Sequence, residues 1–343
     1  MKILIIGDQH LRYELPYGSS VPDGRRKEWE EVKEVIRKEA ETCHAIVLLG
    51  DNFNSRHNHS SVIREFIDFL NGFGDKEVHI LVGNHERYGT STALDFIKNI
   101  QQKNWFVYTE PKLTTICGSS AMMVPFMTPA LLGAENKEEG VKALMDKMVK
   151  APMAFIHHGI SGSKAFGVDI NLFNEIVLSQ EGLAGYFDQV FAGHIHDCQV
   201  IGPDHEMVVT GNVFCESVGE HKKMIWTYEV NPGSTRTEQV VLPCRGIYKM
   251  IWENKGAEEI PAYSIVKCYV TSRETKVEDV KKFLNQFDAS IIIEQYPNER
   301  SKVHFESGSL DLSMDGLLKL YADAKKISYS DLKYGFDLIN NTK

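Results

Sequence analysis

The 343 residues are 43% hydrophobic and carry 47 acidic against 38 basic side chains, a formal net charge of −9. That length suffices for one large domain and a smaller one with a real core, and the acidic balance argues against a broadly basic nucleic-acid binder, whose phosphate contacts come from Lys and Arg. No apolar run approaches the roughly 20 residues that span a bilayer, and the opening MKILIIGDQH is too short and too soon charged for a signal peptide, so a cytoplasmic protein with no membrane partner is expected.

Lys2–Ile6 is a β-branched run that predicts a strand. It is followed by a helix near 27–41, a strand at Ala45–Leu49, a helix near 60–71 and a strand at Val78–Val82. That alternation is the rhythm of an α/β layer fold. In the second helix Ile63, Phe66, Ile67 and Leu70 fall at helical spacing and predict the face packed on the sheet. Strands are then expected at Ala154–His157, Gln189–Ala192, Cys198–Ile201, Met207–Thr210, Met224–Val230 and Thr237–Leu242, so the later part of this domain is richer in sheet.

Pro243-Cys244-Arg245-Gly246 reads as a connection. Beyond it, a strand at Ser264–Thr271, a helix over about 276–287 and strands at Ser290–Gln295 and Lys302–Glu306 predict a small α+β unit. Its helix would pack through Val277, Val280, Leu284 and Phe287. Gly308–Lys343 returns to helix, with Met314, Leu317, Leu318 and Tyr321 at one spacing and Leu332, Phe336 and Ile339 at another. Such an amphipathic tail docks on its own domain or on a partner protein.

The six cysteines are scattered without a C-x-x-C pair, the pattern of reduced thiols rather than of a disulfide frame or zinc site. Charge is uneven: residues 1–244 hold 23 Lys and Arg against 32 Asp and Glu, whereas residues 245–343 hold 15 of each. A metal enzyme shows such a carboxylate excess, because bound divalent cations offset it. An acidic solvated surface shows it too.

Five short motifs stand where strands end: Gly7-Asp8-Gln9-His10, Gly50-Asp51-Asn52, Gly83-Asn84-His85-Glu86, Ile156-His157-His158-Gly159 and Gly193-His194-Ile195-His196. In α/β folds, ligands gather at the carboxyl ends of strands, so residues distant in sequence can share one crevice. Carboxylate, imidazole and amide oxygen together suit Mn²⁺, Fe²⁺ or Zn²⁺ better than Ca²⁺. Each motif alone reads as a turn, a helix cap or a surface histidine pair; the ordered set of five points to a metal site. His57 and His59, just after the second motif, read as a solvated loop.

This order of motifs resembles the calcineurin-like metallophosphoesterases over about residues 1–230. The resemblance implies a four-layer sandwich, two mixed β-sheets flanked by helices. It also implies two divalent ions, Mn²⁺ foremost, one on Asp8, His10, Asp51 and His196 and the other on Asp51, Asn84, His157 and His194, with Asp51 as bridge. His85 would protonate the leaving oxygen or stabilise the transition state. Of the neighbours His157 and His158, His157 is taken as the ligand because it ends the apolar strand and matches the family's position. His158, Asn54 and Glu86 are left to support the ligands or face the substrate.

Within that superfamily the layout resembles the SbcD-like recombination nucleases, the phage type included. The first domain closes through Thr210-Gly211-Asn212-Val213, Phe214 and Gly219-Glu220, and an α+β cap and helical tail follow. The resemblance implies a nuclease domain over 1–244, a DNA-capping domain over 245–307 and a partner-binding tail over 308–343. It also implies Mn²⁺-dependent exonuclease action on double-stranded DNA and endonuclease action on single strands. An SMC-like, SbcC-type ATPase would dock on the C-terminal helices of a homodimer, in a bacterial or phage-infected cell.

Two positions depart from that family: Gly211-Asn212 replaces its usual Gly-Ser, and Glu86 stands where it has Asp. Gly-Asn-His-Glu is typical of phosphoprotein phosphatases, yet those pair it with Gly-Asp-x-x-Asp-Arg-Gly, where this chain has Gly50-Asp51-Asn52-Phe53-Asn54-Ser55-Arg56. A small-molecule or cyclic-nucleotide phosphodiesterase is therefore the alternative, a protein phosphatase ranks below it, and a non-catalytic scaffold, which would shed ligands, ranks last.

Overall fold

Along the chain run β1 (Lys2–Ile6), α1 (Gly24–Glu41), β2 (Ala45–Leu48), α2 (Ser60–Asn71), β3 (Glu77–Leu81), β4 (Trp105–Tyr108), β5 (Lys112–Ile116), β6 (Ser119–Val124), α3 (Lys137–Met145) and β7 (Ala151–Ile156). There follow α4 (Gln180–Ala184), β8 (Phe187–Ala192), β9 (Gln199–Ile201), β10 (Met207–Val209), β11 (Lys223–Asn231), β12 (Ser234–Leu242), β13 (Ile247–Ile251), β14 (Ile265–Tyr269), α5 (Val277–Leu284) and β15 (Asp288–Ile291). The computed structural model describes residues 1–13, 24–100, 102–165, 167–202, 206–256, 259–272 and 274–291, and beyond them 319, 322, 328–330 and 333.

One six-stranded sheet has the order β12-β11-β1-β2-β3-β4, with β1 to β4 parallel and β11 antiparallel to both its neighbours. The other has the order β9-β10-β8-β7-β6-β5, parallel in its four central strands and antiparallel at each edge. Strand periodicity explains how they stack. Ile3 and Ile5 share a core with Val47, Leu49, Phe155, Phe191 and Val208, drawn from both sheets, whereas Leu4 and Ile6 pack with Trp29, Ile36, Phe66 and Phe69 of the helices. On the far side of the second sheet, Ala154, Ile156, Val190 and Ala192 meet Leu144 and Leu183 of α3 and α4. The result is a mixed α/β sandwich of helix, sheet, sheet and helix layers, and its central strands read as continuous apolar runs because both their faces are buried.

The expected strands and helices lie within a few residues of their expected bounds through β12, but α2 is rotated from the expected face. Its buried residues are Val62, Glu65, Phe66, Phe69 and Leu70, with Ile63 and Ile67 half-buried beside them. The aromatic cluster sets this rotation: Phe69 packs on Trp29 and Phe73, and Phe66 on Phe53, and aromatic side chains bring the largest area to the core. Between β3 and β7 the structure adds β4, β5, β6 and α3, which the sequence reading does not name. β5 is an edge strand whose Lys112, Leu113 and Thr115 are exposed, so it lacks the pattern of a buried run.

After β12, the parallel sheet β13-β14-β15 carries α5, whose Val280 and Leu284 are buried while Val277 and Phe287 are half-buried. By internal packing the chain divides into one unit of Met1–Tyr269 with Glu274–Ile293 and another of Val270–Arg273 with Glu294–Lys343. The expected strand Lys302–Glu306 lies outside the described residues, as does the amphipathic tail over 308–343 apart from the few positions given above. Among the described residues no helix is long and apolar enough to cross a membrane.

Candidate metal centre

Five parallel strands end at one crevice. β1 delivers Asp8 and His10, β2 delivers Asp51, β3 delivers Asn84 and His85, β7 delivers His157, and β8 delivers His194 and His196. The backbone bends sharply to do this: His10, Asp51 and His194 take φ of 43°, 46° and 79°. Non-glycine residues in that region are strained, and such strain gathers at functional sites. The turns are tied together, since the amides of Gln9 and His10 both donate to the Asp51 carbonyl at 3.0 and 2.8 Å. Asp8 and Asn212 are backbone partners in an isolated bridge.

The donor atoms fall into three overlapping groups: Asp8, His10 and His196; His10, Asp51 and His85; and Asp51, His157 and His194. Within each, the atoms lie within 4.8 Å of one another. His10 Nε2 stands 2.9 Å from His196 Nε2. Asn84 Oδ1 lies 3.1 Å from His157 Nε2 and 2.9 Å from His194 Nδ1. His157 Nδ1 is 2.6 Å from the Leu49 carbonyl, which only accepts. That bond fixes the tautomer and turns the Nε2 lone pair toward Asp51 Oδ2, 3.4 Å away.

Electrostatics follow from burial. Asp8 is pushed well above the usual carboxylate range by burial and by the neighbouring Asp51 charge. Asp51 suffers the same burial, but the imidazoles of His157, His10 and His85 hold it below that range. Burial depresses His10 well below an ordinary imidazole and brings His196 down to about 4, with Lys223 adding to the latter. The Asp51 carboxylate and the imidazoles of His10 and His196 are thus in the state in which such groups bind cations, and Asp8 would release its proton to join them.

The three supporting candidates fall in different places. Glu86 is fully buried, its Oε1 accepting from Phe53 N at 2.9 Å and its Oε2 from Gly83 N at 2.8 Å, so it clamps the second motif to the third. His158 turns into the protein, stacking on Phe126 and accepting from Met127 N at 3.1 Å. Asn54 contributes its carbonyl, which receives His85 Nδ1 at 2.9 Å.

The sequence profile of the calcineurin-like phosphoesterases matches residues 1–198. The chain belongs to the calcineurin-like phosphoesterase family. No curated protein matches it significantly. Among solved structures, a 5'-nucleotidase precursor from Thermus thermophilus is similar at 15% identity and a TM-score of 0.39, over 71% of this chain and 54% of that one. The chain thus spans about half the length of that structure.

Calcineurin-like phosphoesterases are metal-dependent and use a dinuclear centre, and the donors here fit one. The facing nitrogens of His10 and His196 and the locked lone pair of His157 present donor atoms to shared space, the buried Asp51 supplies charge, and the buried Asp8 would supply more on giving up its proton. Asp8, His10 and His196 with Asp51 would hold one ion, and Asp51, Asn84, His157 and His194 the other. A cleft of about 260 Å³ opens over them, lined by His85, Ala165, Ile195 and Asp197 among others. His57 and His59 line a separate groove of about 600 Å³ with Arg12 and Asn54. No motif marks Glu175, yet its Oε2 lies 2.8 Å from His194 Nε2; it sits in a segment whose spacing carries no metal-binding signal.

Proposed function

We propose that this phosphoesterase is a phosphodiesterase acting on DNA, the nuclease subunit of an SbcCD-like recombination or repair assembly whose ATPase partner docks on the C-terminal helices. The observation that carries the phosphodiesterase reading is the placement of His85. Its Nδ1 donates to the Asn54 carbonyl at 2.9 Å, which leaves Nε2 for the cleft, 4.0 Å from Asp51 Oδ2. Its side chain is 39% exposed, unlike the buried imidazoles of His10 and His157.

Hydrolysis of a phosphodiester such as DNA breaks a P–O bond and expels an alkoxide, a poor leaving group, and a positioned acid that protonates it contributes typically 10²–10⁴-fold. Divalent ions held by the donor groups would supply Lewis acidity and an activated water for in-line displacement. The chain's own residues do the rest. Asp51 accepts the His85 amide at 2.9 Å through Oδ1, and the His10 ring meets the His85 ring edge-on at 4.6 Å, so the acid is held from two sides. DNA as the substrate is supported by the resemblance of the whole layout to the SbcD-like nucleases and by the groove lined in part by Arg12, Asn54 and His57, which has room for a flanking strand.

The test is Mn²⁺-dependent hydrolysis of labelled linear duplex DNA beside bis-p-nitrophenyl phosphate, with His85→Gln as control. DNA degradation absent from the control supports the nuclease reading. Turnover of the small diester with DNA left intact, both alone and with the ATPase partner, would replace it with a small-molecule phosphodiesterase.

A further inference from the structure

His194 differs from the other imidazoles of the centre in how its second nitrogen is held. His157 is locked by a main-chain carbonyl at its Nδ1 and offers Nε2 to the site. His194 is turned the other way: its Nδ1 approaches Asn84 Oδ1 at 2.9 Å, and its Nε2 approaches Glu175 Oε2 at 2.8 Å. An ionised carboxylate only accepts, so the bond to Glu175 requires the proton on Nε2 and leaves the Nδ1 lone pair for the centre.

The segment that carries Glu175 is built into the fold. Val177 and Leu178, two and three residues after Glu175, pair in parallel with Gly159 and Ile160, directly after the strand-end histidines. A Cβ on Gly159 would lie 2.7 Å from Ile170 Cγ1 and 3.6 Å from Glu175 Oε1. The glycine of the fourth motif thus makes room for the segment that brings Glu175 to His194. The carboxylate is itself sheltered, with 21% of its side chain exposed against 13% for His194.

We propose that Glu175 is a positioning residue of the metal centre, one that fixes the tautomer and ring orientation of His194 so that Nδ1 is its donor atom. The inference rests on the two-ion reading of the site. Partners of this kind raise the donor strength of an imidazole, and their loss typically costs 10–100-fold in metal affinity.

The experiment is Mn²⁺ titration of the metal-free wild type, Glu175→Ala and Glu175→Gln by calorimetry and electron paramagnetic resonance, with the Tm of each metal-free protein measured alongside. In Glu175→Ala, one of two ions should bind about 10–100-fold more weakly, and the exchange-coupled manganese signal should give way to a mononuclear six-line one. Glu175→Gln, whose amide oxygen still accepts from Nε2, should recover most of the affinity, and the metal-free Tm values should agree. Wild-type affinity for both ions in Glu175→Ala would overturn the role. So would a loss of affinity in both variants that tracks a lower metal-free Tm, because that is a packing effect. Uptake of fewer than two ions by the wild type would instead remove the two-ion reading itself, before any variant is compared.

Discussion

His10 and His196 come from opposite sheets of the sandwich and meet with their Nε2 atoms 2.9 Å apart. Burial depresses the pKa of both, that of His196 to about 4 with Lys223 contributing, so at neutral pH two uncharged rings share one space with the carboxyl groups of Asp8 and Asp51. A divalent cation satisfies all of these donors at once. Because such an ion binds the folded chain, Mn²⁺ should raise the Tm, and at a hundredfold excess over its Kd the stabilisation is about 2.7 kcal/mol. His10→Ala and Asp8→Asn should lose most of that increment together with hydrolysis. A wild type whose Tm ignores Mn²⁺, Fe²⁺ and Zn²⁺ alike would refute the assignment of these residues.

His85 should separate binding from turnover. Its Nδ1 is tied to the Asn54 carbonyl and its side chain is 39% exposed, whereas Asp8, His10, Asp51 and His157 are buried. In His85→Gln the Mn²⁺-dependent rise in Tm should match the wild type, while kcat for a diester falls on the order of 10²–10⁴-fold. Equal loss of metal binding in His85→Gln and His10→Ala would make His85 a ligand rather than an acid.

Much of this centre is legible in the sequence because each donor follows directly on an apolar run. Asp8 comes two residues after Ile6, Asp51 soon after Leu48, His157 directly after Ile156 and His194 just after Ala192. In a layered α/β fold that placement alone predicts convergence. What escapes is set by contacts between distant segments. Glu175 has no motif of its own and reaches His194 through a ladder with Gly159. The inward turn of His158 depends on Phe126 and Met127, and the face of α2 is set by Trp29 and Phe53, none of them helical-period neighbours.

The motif glycines carry a steric demand that the sequence shows only as a pattern. A Cβ on Gly83 would lie 2.1 Å from Asp51 Oδ1 and 2.3 Å from Asp51 N, both atoms of the residue that would bridge the two ions. Neither atom can move without displacing that carboxylate. Gly83→Ala should therefore lose the Mn²⁺-dependent rise in Tm and destabilise the metal-free protein by about 1–3 kcal/mol, the ordinary cost of overpacking. Gly185→Ala, whose added carbon meets nothing nearer than 3.4 Å, is the control and should change neither. Full metal binding in Gly83→Ala would show that the third motif tolerates a side chain and that Asp51 is not held against it.

Glu86 joins two motif loops from a fully buried position, accepting the amides of Phe53 and Gly83 through its two carboxylate oxygens. Burial and the Asp51 charge push it up to about 8. Glu86→Ala strands two buried N–H groups at about 1–3 kcal/mol each, so urea unfolding of the metal-free variant should show a loss on the order of 2–6 kcal/mol. A midpoint within a few tenths molar of the wild type would mean that other acceptors replace it.

His158 makes acid sensitivity predictable. It is buried against Phe126, and its Nε2 accepts from Met127 N, so the ring must remain neutral to keep that bond. Burial, then the neighbouring His194 and His157, lower its pKa from 6.5 to about 3. Between those values the unfolded chain holds a proton that the folded chain refuses. Its contribution to stability is therefore complete above about 6.5 and is lost progressively as pH falls toward about 3, with a slope of up to about 1.4 kcal/mol per pH unit. The depressed His10 and His196 add to the same trend. In metal-free protein, urea unfolding at pH 7 and pH 5 should show this fall. His158→Gln, whose amide oxygen can still accept from Met127, should lessen the slope by nearly one proton's worth. An unchanged slope would mean that the buried ring is already charged or that the acid transition belongs wholly to the other histidines.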